Sequence, residues 1–169
     1  MRLAAIVLLP CFAALVACSD EPARAPTVLE APTVPQATTG GEDGPPVELV
    51  ALTEAQLKGT DLHGELACAF ADAELGTLLV ARADVRPDGP VHGVMSNNGY
   101  TEMLANLKAG GFDDLADGIT LAGKALTVRL VRGGPQPTGD ESTRHAATLN
   151  VDPADGPSRT YEGTLTCGP

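Results

Sequence analysis

Two short segments at opposite ends of the chain alternate between apolar and polar residues, and each carries a cysteine on its apolar side. In Glu65–Phe70, Leu66, Cys68 and Phe70 share one face. In Thr160–Cys167, Tyr161, Leu165 and Cys167 share one face, opposite Thr160, Glu162, Thr164 and Thr166. A period of two is the signature of a strand with one buried side. Each cysteine therefore points into a core, one from near the start of the region and one from its end.

Further strands are expected between them. Gly76–Ala83 (GTLLVARA) is rich in strand formers and partly alternating. Lys124–Arg132 turns Leu126, Val128 and Leu130 inward, and Arg144–Val151 places His145, Ala147, Leu149 and Val151 on one side. Asp88-Gly89, Asn98-Gly99 and Asp155-Gly156 suit turns at positive φ, the last linking the two C-terminal strands as a hairpin. Gly133–Glu141 reads as a mobile connection. Tyr100–Ala109 fits either a helix, with Met103, Leu104 and Leu107 on one side and Gly110-Gly111 as its stop, or a strand. Phe112–Asp117 reads as one helical turn closed by Gly118, and Thr53–Lys58 as a second short helix. The sum is a mainly β domain, a small antiparallel sandwich or open barrel with one or two short helices.

The core of such a domain must rest on Leu, Val and Ala, because aromatic residues make up 3% of the chain and Trp is absent. The net charge of −11 disfavours phosphate backbones, so nucleic acid is excluded as a partner class. The same surface would attract a basic protein partner, although solubility also accounts for it.

The N-terminus carries the clearest motif. Arg2 is followed by an apolar run from Leu3 to Val16, too short to span a bilayer comfortably. The run ends in Leu15-Val16-Ala17-Cys18 and then Ser19-Asp20. This resembles the lipobox of bacterial lipoproteins, with Leu at −3, a small residue at −1 and Cys at +1. Cys11 follows Pro10 inside the apolar run and would leave with the signal peptide. The resemblance implies cleavage before Cys18 and acyl chains on it, with the lipid bilayer as its partner. One acyl chain holds marginally and two or more hold durably. The family's sorting rule reads the residue after the cysteine, and Ser19 there, with Asp20 one later, implies the outer membrane facing the periplasm. The Tyr161–Pro169 ending is also similar to small envelope lipoproteins, a likeness that carries no mechanism.

Three regions follow: a signal peptide over 1–17, a lipidated stalk over 18–48, and a β-rich globular domain over 49–169. The stalk contains Pro22, Pro26, Pro32, Pro35, Pro45 and Pro46, which interrupt any helix. Its Thr, Ala, Gly and acidic filling cannot bury enough apolar surface to order it, so a disordered linker is expected. About 30 such residues reach on the order of 90 Å extended and ~30 Å as a coil.

Export past the cytoplasm would place Cys68 and Cys167 in an oxidising compartment, where they are expected to pair. A loop of about 100 residues corresponds to ~4.7 kcal/mol in the chain-entropy treatment, as an upper figure. The alternatives are two buried free thiols or a metal pair, and neither a CxxC nor a neighbouring His cluster favours the metal.

Candidates for chemistry are sparse. His63, His92 and His145 lie in separate segments without ligand spacing, and the metalloprotease, nucleophile-elbow, P-loop and S-x-x-K patterns are missing from the sequence. Asp113, Asp114 and Asp117, and again Asp152 and Asp155, group locally but without calcium-loop spacing, as solvated turns do. The expectation is therefore a membrane-anchored, non-catalytic binding or accessory domain that needs no cofactor. Two other readings stand beside it. One is a lysozyme-inhibitor-like β-barrel, by architectural likeness to C-type lysozyme inhibitors although their Ser-Gly…Tyr segment is missing here. The other is a hydrolase or metal-binding lipoprotein.

Overall fold

The computed structural model of the chain describes residues 44–138 and 142–169. The lipobox with Cys18 and the proposed stalk up to residue 43 lie outside the described residues, as do residues 139–141 of the Gly133–Glu141 connection.

In chain order the elements are β1 (Leu49–Val50), α1 (Glu54–Lys58), β2 (Leu66–Asp72), β3 (Gly76–Ala83), β4 (Val91–Asn97) and β5 (Tyr100–Asn106). They continue with α2 (Phe112–Asp117), β6 (Thr120–Ala122), β7 (Leu126–Pro135), β8 (Thr143–Pro153) and β9 (Arg159–Gly168). Strands β2 to β9 each pair antiparallel with their sequence neighbours, and β9 returns to pair with β2. The result is a closed eight-stranded barrel, with β1 added to the far end of β4. The mainly β class, the short helices and the disulfide agree with the sequence reading. Of the sandwich and open barrel it offered, the fold takes the barrel and closes it, because β2 and β9 each bring an apolar inner face that is buried only when the two meet.

Cys68 and Cys167 are directly opposed in the β2–β9 register and joined as a disulfide, with a Cα separation of 4.1 Å. That spacing belongs to the closer, non-hydrogen-bonded type of antiparallel pair. The same inward row carries Phe70 opposite Leu165. Around the barrel, Leu79, Met95, Leu104, Leu121, Val128, Leu149 and Val151 complete an interior filled by side chains. A small barrel filled in this way is a packed core, not a ligand chamber.

Both ends are covered. At one end α2 reaches from the β5–β6 connection to β2, β3 and β7, with Leu115 fully buried beneath it. The amide of Phe112 donates to the Asp84 carbonyl (3.0 Å), and Gly118 ends the helix at φ 112°, the backbone conformation that favours glycine. At the other end the incoming chain crosses the barrel, where Gly44 packs on Asp155 and Gly156, and Val47 is only 5% exposed. Described residues ahead of position 49 thus pack on the barrel as well. Pro45 and Pro46 read as stalk, but the apolar Val47 between them and Leu49 finds core to fill.

Two other expectations change, and one open choice between helix and strand is decided. β7 runs on through Gly133 and Gly134 to Pro135, with an irregular register after Arg132, so that part of the supposed connection is strand. Tyr100–Asn106 is a strand: Leu104 is 2% exposed while Met103 and Leu107 are 45% and 64% exposed, which no common helical face would allow. Gly89 does not adopt positive φ. Its carbonyl instead accepts from the Gly110 amide (3.2 Å), whereas Asn98, Gly99 and Gly156 do take positive φ.

Candidate functional site

With the barrel interior filled, the chemistry-bearing side chains stand on its outside. One group gathers where residues 57–65 pass over the outer face of β2, β3 and β4. The inward alternation of β3 buries Ala81 and Ala83, so Arg82 between them projects outward. Register places Ala67 of β2 on one side of Arg82 and His92 of β4 on the other. Gly64 brings the overlying segment down: at φ 136°, a Cβ there would stand 2.5 Å from the Ala83 nitrogen and 2.8 Å from the Arg82 carbonyl carbon. The approach puts His63 edge-on to His92, ring centroids 6.0 Å apart and planes at 77°.

Between the segment and the sheet lies a groove of about 420 Å³, walled by Leu57, Thr60, Asp61, Leu62, Ala67, Val80 and Arg82. The Arg82 Nε is buried and has no hydrogen-bond partner. Two carboxylates are near in sequence, and neither pairs with Arg82. Asp61 pairs with His63 Nε2 at 3.4 Å, and Glu65 accepts from the Val85 amide at 3.4 Å. An unsatisfied buried guanidinium nitrogen is uncommon and calls for an explanation.

A second groove, of about 390 Å³, opens where β5 and β6 diverge around α2, lined by Leu107, Ala109, Ile119, Lys108, Asp114 and Thr120 among others. The β5–β6 register is short, Ala105 to Ala122 and Asn106 to Leu121, and the barrel is least tightly paired there. Its walls are mainly aliphatic and carry Lys108 and Asp114 as opposed charges.

The remaining sequence candidates fall apart in space. His145 lies on the inner side of β8 opposite Leu165, with its Nδ1 buried and without a partner, and takes no part in the His63–His92 group. Asp117 pairs with Arg132 at 2.9 Å, and Asp152 accepts from the Ser158 hydroxyl at 2.6 Å. Asp72 closes the β2–β3 turn by accepting from the amides of Glu74 (2.8 Å) and Leu75 (2.9 Å). Those bonds, Leu75 first, hold its carboxyl below the usual aspartate range. Among the described residues, no group of three or more His, Cys, Asp or Glu is arranged to hold a metal ion.

Arg82 does not stand out in the sequence, for a physical reason. A polar residue at an outward strand position is what any half-exposed sheet shows, and only the overlying 57–65 segment makes this one special. Comparison of the chain with protein-family models, curated proteins and solved structures finds no match, so the geometry of these two outer grooves is what bears on function.

Proposed function

We propose that the protein is a bacterial envelope lipoprotein, held by acyl chains on Cys18 and probing its surroundings through a small non-catalytic β-barrel. The lipobox-like Leu15–Cys18 stretch supports the anchor, and Ser19 after it supports the outer membrane facing the periplasm. A Cys68–Cys167 bond is what an oxidising compartment yields. The observation that carries the binding-module reading is the filled interior: recognition then falls to the outer surface, where the two grooves lie.

Two measurements test this reading. Detergent-phase partitioning with mass spectrometry of the N-terminal peptide should find a chain that starts at Cys18 and carries diacylglycerol and a further acyl group. An unmodified peptide, or one starting at Met1, would sink the anchor. Crosslinking in native envelopes should capture a partner that the released Cys18→Ala variant does not reach. Equal capture by both, or none by either, would count against an anchored binding module.

A further inference from the structure

The groove beside Arg82 has a composition that selects a ligand. Leu57, Leu62, Ala67 and Val80 supply an aliphatic wall, and Arg82 supplies a guanidinium whose Nε has no hydrogen-bond partner and which forms no ion pair among the described residues. His92 flanks it in register and His63 stands against His92. In a chain with 22 acidic and 11 basic residues, an arginine that no carboxylate pairs with among the described residues is poised to take an anion. Arginine's planar fork matches a carboxylate in bidentate fashion. Asp61 on the same wall and the −11 net charge weigh against a dianion such as phosphate more heavily than against a single negative charge.

We propose that this groove binds a carboxylate with a small aliphatic body, the carboxylate on Arg82 and the aliphatic part against Leu57, Leu62 and Val80. Such a group occurs as a free branched acid or as the C-terminal residue of a peptide. The proposal rests on the reading of the barrel as a module that binds through its outer surface, and it names the ligand class of one of the two grooves.

The test is titration of the mature, full-length protein in detergent micelles, followed by the arginine Nε–Hε and histidine ring signals in NMR. The probes are isovalerate, N-acetyl-leucine, its uncharged amide, and inorganic phosphate. Isovalerate and N-acetyl-leucine should both shift the Arg82 and His92 signals saturably, the amide should not, and phosphate should act more weakly. A preference for N-acetyl-leucine over isovalerate identifies a peptide end, and the reverse a free acid. Arg82→Gln should weaken binding about tenfold to a hundredfold, as expected for loss of a charged hydrogen-bonding partner. Arg82→Lys should fall between, and Arg159→Gln, remote from the groove, should leave binding unchanged. Equal shifts by acid and amide, tighter phosphate binding, or undiminished binding by Arg82→Gln overturns the assignment. If N-acetyl-leucine perturbs instead the groove at Leu107 and Ile119, the outer-surface reading survives and the Arg82 site falls. If no probe shifts either groove and no partner is crosslinked, both fall.

Discussion

The ring of Phe70 occupies space that a side chain at position 163 would need. A Cβ built on Gly163 would stand 2.8 Å from Phe70 Cζ, and closer still to the carbonyl oxygen of Ala71. Phe70 is fully buried on β2, and Gly163 lies on β9 opposite Asp72, so one glycine leaves room for the largest fully buried side chain beside the strand that closes the barrel. Gly163→Ala should destabilise the fold by about 1–3 kcal/mol through overpacking, read from urea unfolding. Because the Ala71 carbonyl cannot swing aside as a side chain can, most of the penalty should persist in a Phe70→Leu background. Full relief there would show that the ring alone sets it.

Gln56 joins the α1 segment to the barrel and caps its helix at once. Its side-chain oxygen accepts from the Thr53 amide (3.0 Å), while its amide nitrogen donates to the hydroxyls of Ser96 (3.1 Å) and Thr101 (3.3 Å). Ser96, on the outer face of β4, is fully buried. Gln56→Ala should therefore cost about 1–3 kcal/mol, combining a lost cap with an orphaned buried hydroxyl. Adding Ser96→Ala should recover part of that loss. A double variant no better than the single one would show that Ser96 does not depend on Gln56.

The Cys68–Cys167 bond ties the first and last strands of the closed meander. Its removal as Cys68→Ala with Cys167→Ala should lower stability by about 2–4 kcal/mol, with ~4.7 kcal/mol as the upper figure for so long a loop. Thiol titration of the unreduced, unfolded protein should find neither Cys68 nor Cys167 reactive. Two reactive sulfhydryls there would remove the staple.

Asp72 links the β2–β3 turn to pH. Its folded carboxyl titrates below the usual aspartate range because the amides of Leu75 and Glu74 bind the charged form. Its contribution is therefore complete above the unfolded aspartate value and is lost as pH falls through the lowered folded value. Carboxyl carbon NMR should place Asp72 below the other exposed aspartates, and Asp72→Asn should flatten the acid limb of the stability curve. An Asp72 midpoint at or above the ordinary range would contradict the turn geometry.

Elements whose burial is one-sided are legible in the sequence. Gly76–Ala83 and Phe112–Asp117 fall at the bounds their patterns indicate, and the Thr53 cap precedes α1 as its capping chemistry requires. β4 escapes sequence reading because the rule that reveals strands fails on it. Its inner face fills the barrel while Val94 and Ser96 on its outer face are buried as well, so Val91–Asn97 does not alternate. β1 and β6 are too short, at 2 and 3 residues, to show a period at all. Of the outer grooves, the sequence displays His63 and His92 as isolated residues. Their meeting depends on a segment folding back over a sheet, which no local pattern records.

Local alternation, caps and turn residues determined that this chain makes a mainly antiparallel β domain with two inward cysteines, because those signals act between residues a few positions apart. Only tertiary structure decided that the sheet closes into a barrel, that its interior is full, and that the Arg82 Nε is left buried without a partner. Those outcomes depend on which distant surfaces meet, as β2 meets β9 and residues 57–65 meet β3, and burial of that kind is a property of the assembled layers.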